Sequence, residues 1–160
     1  GTLQAAQAAG VSAGAYIFPC PRCSTDCGTQ AKDAVQELRA NSAPFDRIWL
    51  DIEGGSTYWH SDSSQNQQCF QDMIAALKGL GVEIGVYTSL SQWPPIMGSS
   101  YDGGSDYPLW YAAYDGEPDF DDFKPFNGWS APAIKQFSDQ GSKCGTSYDV
   151  NWYPPGHPPM

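Results

Sequence analysis

The sequence predicts an α/β fold of parallel strands with crossover helices, and three observations carry that prediction. Short runs rich in β-branched and aromatic residues alternate with longer segments whose apolar residues recur at helical spacing. Two of those helical segments stop at a glycine, at Gly10 and Gly81. After Ser91 the alternation ceases, and strands follow one another through loops rich in Gly, Pro and Asp.

Taken in order, residues 3–9 read as the end of a helix and residues 13–19 as a strand. Residues 29–40 place Ala31, Ala34, Val35 and Leu38 on one helical stripe, and residues 47–53 form the next strand. Residues 64–80 repeat the pattern with Phe70, Met73, Ile74 and Leu77, and lead into a strand over residues 82–88. Parallel neighbours need crossovers of this length, so strand, helix, strand is the expected unit. The last strands are expected over residues 109–114, 133–138 and 148–152, with no helix between them. No internal repeat or linker divides the chain, which gives one domain over residues 1–153 and a proline-rich extended tail over 154–160.

A chain of 160 residues with 41% hydrophobic content can bury one core. Its formal charge of −10, from 18 acidic and 8 basic residues, disfavours phosphate backbones and anionic membranes, so neither nucleic acid nor membrane is an expected partner. The cysteines Cys20, Cys23, Cys27, Cys69 and Cys144 admit a zinc site or a disulfide framework. Structural zinc takes four ligands, and both histidines, His60 and His157, lie far from the Cys20 to Cys27 cluster. Disulfides, and with them an oxidising compartment, are the better reading. Five is odd, which leaves one cysteine without an internal partner.

The tripeptide Asp51-Ile52-Glu53 closes the apolar run Ile48-Trp49-Leu50. Side chains alternate along a strand, so Trp49, Asp51 and Glu53 share one face while Ile48, Leu50 and Ile52 share the other. Two carboxylates about 6 to 7 Å apart at their Cα atoms raise each other's pKa, which is how a site keeps one acid protonated near neutrality. The plainer alternative is a strand end leaving its core, with both acids in water.

With the strands placed, the sequence resembles the lysozymes of glycoside hydrolase family 25, in particular a cysteine-containing branch of nematodes and protists. The resemblance rests on an ordered set of motifs: Ala8-Ala9-Gly10, Ala15-Tyr16-Ile17-Phe18-Pro19, Asp51-Ile52-Glu53, Gly85-Val86-Tyr87-Thr88-Ser89, Leu109-Trp110-Tyr111-Ala112, Ile134-Lys135-Gln136-Phe137 and Tyr148-Asp149-Val150-Asn151-Trp152. It implies an irregular TIM-like (β/α)5(β)3 barrel, of which this chain is expected to supply about six of the eight strands. Members open with two further strands, the first bearing an aspartate, so a natural chain longer by about 40 to 50 residues is expected. A cysteine in that segment would pair the odd one.

The resemblance also implies roles. Glu53 becomes the general acid, protonated by burial beside ionised Asp51 and Asp149; Asp51 stabilises charge on the substrate or orients its 2-acetamido group, and Asp149 is a further cleft carboxylate or else a turn residue after Gly145-Thr146-Ser147. Tyr87, Trp110 and Tyr114 match positions that line the groove, although core packing explains each nearly as well, and Gln136 is read as a donor to a sugar or else as a partner of the neighbouring backbone. Trp59 and His60 sit just past the tripeptide, at a cleft mouth or in an ordinary surface loop. The acidic stretch over residues 115–122 lacks the glycine and glutamate of a calcium-binding EF-hand loop and reads as solvated. No metal or cofactor is called for.

The expected function is hydrolysis of the β-1,4 bond between N-acetylmuramic acid and N-acetylglucosamine in peptidoglycan, in a secreted or phagolysosomal setting. The acidic charge opposes approach to an anionic wall at neutral pH and is relieved in an acidic lumen. A chitinase-like enzyme would carry a fuller acidic run than Arg47 to Leu50 provides. The alternative from another class is a non-catalytic structural or carbohydrate-binding protein that reuses the barrel and self-associates through an open edge.

Overall fold

The structure, a computed structural model, describes residues 1–156. Six strands form one sheet in sequence order: β1 (Ala15–Ile17), β2 (Ile48–Asp51), β3 (Ile84–Thr88), β4 (Leu109–Ala112), β5 (Ile134–Lys143) and β6 (Thr146–Trp152). Neighbours from β1 to β5 are parallel, and β6 returns antiparallel to β5. The sheet has two unpaired edges, β1 and β6. This is the partial barrel expected, with the mixed α/β order and the loops between β4, β5 and β6 as read from sequence. The tail predicted for residues 154–160 lies outside the described residues beyond Gly156.

Helices α1 (Thr2–Ala8), α2 (Cys27–Ala40) and α4 (Ser63–Gly79) match the periodic segments. Asp26 and Asp62 cap α2 and α4 by accepting from the backbone N–H of Thr29 and Ser64, which fixes where each helix starts. Ala31 and Val35 of α2 and Met73 and Leu77 of α4 are fully buried in one cluster with Ile48, Leu50 and Ile52. Each such aliphatic side chain contributes roughly 1.5–3 kcal/mol by leaving water, so this face of β2 is fixed by packing. The Cys27–Cys69 disulfide ties the first turn of α2 to α4 across 42 residues, a closure contributing about 4 kcal/mol in the chain-entropy account. Cys20 and Cys23 form the second disulfide, so the zinc alternative falls away. Cys144 is free and exposed.

The structure adds two short helices, α3 (Gly55–Tyr58) and α5 (Trp93–Met97), too brief to show a periodicity. It also extends the last two strands into a hairpin over residues 134–152. The reversal is Cys144-Gly145, whose φ values of 53° and 74° are those of a two-residue type I′ turn. The acidic stretch is not simply solvated. Lys135, paired with Tyr111 across β4 and β5, is fully buried, and its Nζ donates to Asp115 and Asp122 at 2.7 Å each. Tyr111 also donates to Asp122, at 2.8 Å. An internal ammonium thus clamps the loop that follows β4.

The other sheet face is aromatic. Trp49 lies across Gly85 of β3 and meets Trp110 of β4 edge to face at 5.6 Å, and a Cβ on Gly85 would run into the Trp49 ring. We expect Gly85→Ala to cost roughly 1–3 kcal/mol through overpacking, read as a lower urea midpoint at unchanged slope. Wild-type stability of that variant would mean that the indole is not held there.

Candidate active site

Register carries the inward side chains of all six strands to one cavity. Asp51 pairs with Tyr87, Tyr87 with Trp110, Ala112 with Gln136, and Gln136 with Asn151, two residues from Asp149. A cavity of about 270 Å³ is lined by Tyr16, Asp51, Glu53, Tyr87, Trp110, Tyr114, Gln136 and Asp149. The seven residues to which the sequence assigns catalytic or substrate-binding roles converge there, with Tyr16 added from β1. Alternation alone places Tyr16, since it pairs with Trp49. Strand β4 ends at Ala112, two residues before Tyr114, yet Tyr114 still reaches the cavity.

The segment that bears Glu53 is fixed by hydrogen bonds to its backbone. Ile52 N–H donates to the Tyr87 carbonyl at 2.8 Å, and the Thr88 hydroxyl donates to the Ile52 carbonyl at 2.8 Å. The Trp59 indole donates to the Glu53 carbonyl at 2.8 Å, and Gly54 N–H donates to Gln92 Oε1 at 3.0 Å. Gly54 has φ 86°, and a Cβ there would collide with Tyr58, so the chain turns away after Glu53 only because a glycine is present. Trp59 is therefore neither at the cavity mouth nor in a surface loop: it is 2% exposed, a buried brace for Glu53. His60 does not line the cavity; its ring meets the Pro21 carbonyl at 3.1 Å.

The two carboxyls differ in setting. Asp51 is 8% exposed and its Oδ1 has no hydrogen-bond partner among the described residues. Burial foremost, and then the charge of Glu53, push it up to about 7. Glu53 is half-buried and is also raised, by burial. Both acids are thus held above the usual carboxylate range, but burial falls harder on Asp51, where the sequence pointed to Glu53 as the protonated partner. The reason is position: Asp51 is the last residue of β2, under the neighbouring strands, and Glu53 lies beyond the strand end.

Across the cavity, Gln136 is 6% exposed and bonds to three of the other residues. Its Oε1 accepts from Tyr87 Oη at 2.7 Å and Tyr114 Oη at 2.6 Å, and its Nε2 donates to Asp149 Oδ2 at 3.0 Å. Trp110 stands edge to face on Tyr87 at 4.8 Å and donates its N–H to Asn151 Oδ1. A larger cavity of about 340 Å³ adjoins β3 and β4, but its one carboxylate, Asp122, is committed to Lys135 and Tyr111. Two proton-holding carboxyls, a third facing them and an aromatic wall form a setting that gives and takes back a proton beside a flat, hydroxylated ligand. Among the described residues no His, Cys, Asp and Glu cluster has the arrangement of a metal site.

Comparison with known proteins identifies the family. The family model for Lysozyme-like protein 1 matches residues 1–137. The chain is 54% identical over 139 residues to Probable GH family 25 lysozyme 2 of Dictyostelium discoideum, covering 87% of this chain and 64% of that protein. It is 36% identical over 152 residues to Lysozyme-like protein 5 of Caenorhabditis elegans, covering 93% of this chain and 70% of that one. The structure of a family GH25 lysozyme from Aspergillus fumigatus superposes with a TM-score of 0.72 at 25% identity, over 96% of this chain and 73% of its own. The chain therefore spans rather less than two thirds of its Dictyostelium relative. By its matched sequence, its strand order and the residues brought to one cavity, this chain belongs to the lysozyme-like proteins of glycoside hydrolase family 25.

Proposed function

We propose that the protein is a lysozyme-type glycoside hydrolase that cleaves the β-1,4 bond between N-acetylmuramic acid and N-acetylglucosamine in peptidoglycan. One observation carries the reading above all: a buried, unpartnered Asp51 beside Glu53, both holding protons above the usual range, at the floor of an aromatic cavity. A fold accepts such a cost where chemistry needs it. The lysozyme names of the relatives support the same reading. The two disulfides fit an oxidising setting, outside the cell or in a lysosomal lumen.

In this mechanism Glu53 is the proton donor and Asp51 its charged neighbour. Without ligand the pair's most tightly held proton sits on Asp51. A substrate acetamido N–H donated to Asp51 favours the charged form of that carboxyl, which leaves the proton to Glu53. Glu53 then protonates the glycosidic oxygen as the bond to the anomeric carbon breaks. The acetamido oxygen attacks that carbon, and negative Asp51 faces the positive charge that develops. Water opens the ring so formed, giving its proton to the Glu53 carboxylate and restoring the acid. Asp149 adds negative potential from the opposite wall, Tyr87, Trp110 and Tyr114 bear on the sugar, and Gln136 holds two of those tyrosines and Asp149 in register.

Glu53→Gln keeps the shape of the side chain and removes the donor. It is expected to slow clearance of bacterial cell walls by at least about a hundredfold with the circular dichroism spectrum unchanged. Near wild-type clearance by the folded variant would remove Glu53 from the mechanism. The rate should follow a bell with its maximum at roughly pH 5–6, falling above pH 7 as the last proton leaves the pair. A maximum above pH 8 contradicts the pair as the acid machinery.

Asp51 also sets a stability trend whose sign is fixed. Its folded pKa of about 7 lies above the ordinary unfolded value of 3.8, so between the two the folded state binds more protons than the unfolded state. Stability from this group is therefore full below about pH 4 and lost as pH rises through 7. Asp51→Asn should raise unfolding stability at pH 8 by roughly 2 kcal/mol, shrinking toward pH 4, while abolishing wall clearance. A variant no more stable than wild type at pH 8 would show that Asp51 ionises without penalty.

A further inference from the structure

The hydrogen bonds around Gln136 decide which protons the cavity offers a ligand. An ionised carboxylate only accepts, so the amide must turn Nε2 to Asp149 and Oε1 to the two phenols. Each phenol has one proton, and both are spent on Gln136. Tyr87 and Tyr114 therefore meet the cavity with lone pairs alone. The Trp110 N–H is likewise spent, on Asn151 Oδ1 at 2.8 Å. No Lys, Arg or His lines the cavity. Apart from protons held by the carboxyls themselves, the donors left are the hydroxyl of Tyr16 on edge strand β1, 65% exposed, and the second N–H of Gln136 Nε2, whose first goes to Asp149. Asp51, more than nine-tenths buried with an Oδ1 that meets no partner among the described residues, accepts once its proton is displaced, which leaves a surface with more acceptors than donors.

A neutral acetamido group suits such a surface only in part, since it brings one N–H to give and a carbonyl that needs a donor. A protonated amine brings three donors and a positive charge toward three carboxyls, and hydrogen bonds in which both partners are charged are the strong ones. We propose that this cavity also binds the de-N-acetylated, cationic form of an amino-sugar unit, as a ligand that is held and not hydrolysed. Such a unit lacks the acetamido oxygen that attacks the anomeric carbon in the mechanism above, so it occupies the site and competes with substrate. The statement about competition rests on the proposed activity; the binding does not.

Calorimetric titration of the 160-residue chain tests it at about pH 6, where an amine resembling an α-amino group carries its proton. The probes are a glucosamine tetramer and its fully N-acetylated counterpart. At low salt the amine tetramer should bind at least roughly tenfold more tightly, and the gap should narrow as sodium chloride screens the charges. The protein's net charge of −10 makes scattered surface binding the competing account, which variants distinguish. Asp149 and Glu37 are both exposed, and each change to the amide removes one negative charge. Asp149→Asn should weaken amine binding several-fold, and Tyr114→Phe, also at an exposed residue, should weaken it measurably. Glu37→Gln on α2 should leave it unchanged. Equal or weaker binding of the amine tetramer, or equal losses in Asp149→Asn and Glu37→Gln, would overturn the proposal. Tight, site-specific amine binding by a protein that fails to clear cell walls would uphold it while refuting the hydrolase reading.

Discussion

Asp51 fills the inward position at the end of β2 with one carboxylate oxygen that meets no donor among the described residues, and the cost of ionising it there governs the rest of the site. Desolvation disfavours the charged form of a buried acid, and a second carboxyl two residues on disfavours it further. The pair must therefore keep a proton to higher pH than carboxyls in water do. The same feature makes the site a source of acid and a weak point of the fold.

The remainder of the structure holds this pair in place. On one face of β2 the aliphatic residues are locked beneath α2 and α4, which leaves Trp49 and Asp51 no alternative to the inward face. Gly85 gives Trp49 room to cross to Trp110, so that an aromatic layer packs behind the carboxyls. Thr88, Trp59 and Gln92 grip the backbone of residues 52–54, and Gln136 aligns the opposite wall. Farther out, the buried Lys135 clamps the loop after β4 through Asp115 and Asp122, which steadies the approach to Tyr114. That one ammonium offsets one of the five negative charges over residues 115–122, so the loop remains acidic.

The parts of this arrangement set by local periodicity were legible in the sequence. Two-residue alternation places Asp51 and Glu53 on one face, and helical spacing locates α2 and α4 to within a residue or two. What could not be read depends on register and on contacts between distant segments. Gln136 stands opposite Asn151 only because of the pairing of β5 and β6, whose register shifts between Gln136 and Ser138. No local pattern shows that its amide oxygen takes both phenols while its nitrogen holds Asp149. Trp59 follows a four-residue helix that carries no periodic signal, so its burial against the Glu53 carbonyl was invisible. That burial weighs more on Asp51 than on Glu53 could not be read either, because the sequence of a strand end does not contain the unequal burial of its residues.

The most direct measurement is a titration of the side-chain carboxyl carbons of Asp51 and Glu53 by nuclear magnetic resonance, assigned with the Asp51→Asn and Glu53→Gln variants. The last proton is expected to leave the pair near pH 7, with the larger chemical-shift change in that step on Asp51 and both carboxyls above the ordinary range. If both carbons titrate below about pH 4.5, as carboxyls in water do, the buried pair holds no proton for chemistry near neutrality and the central claim is wrong.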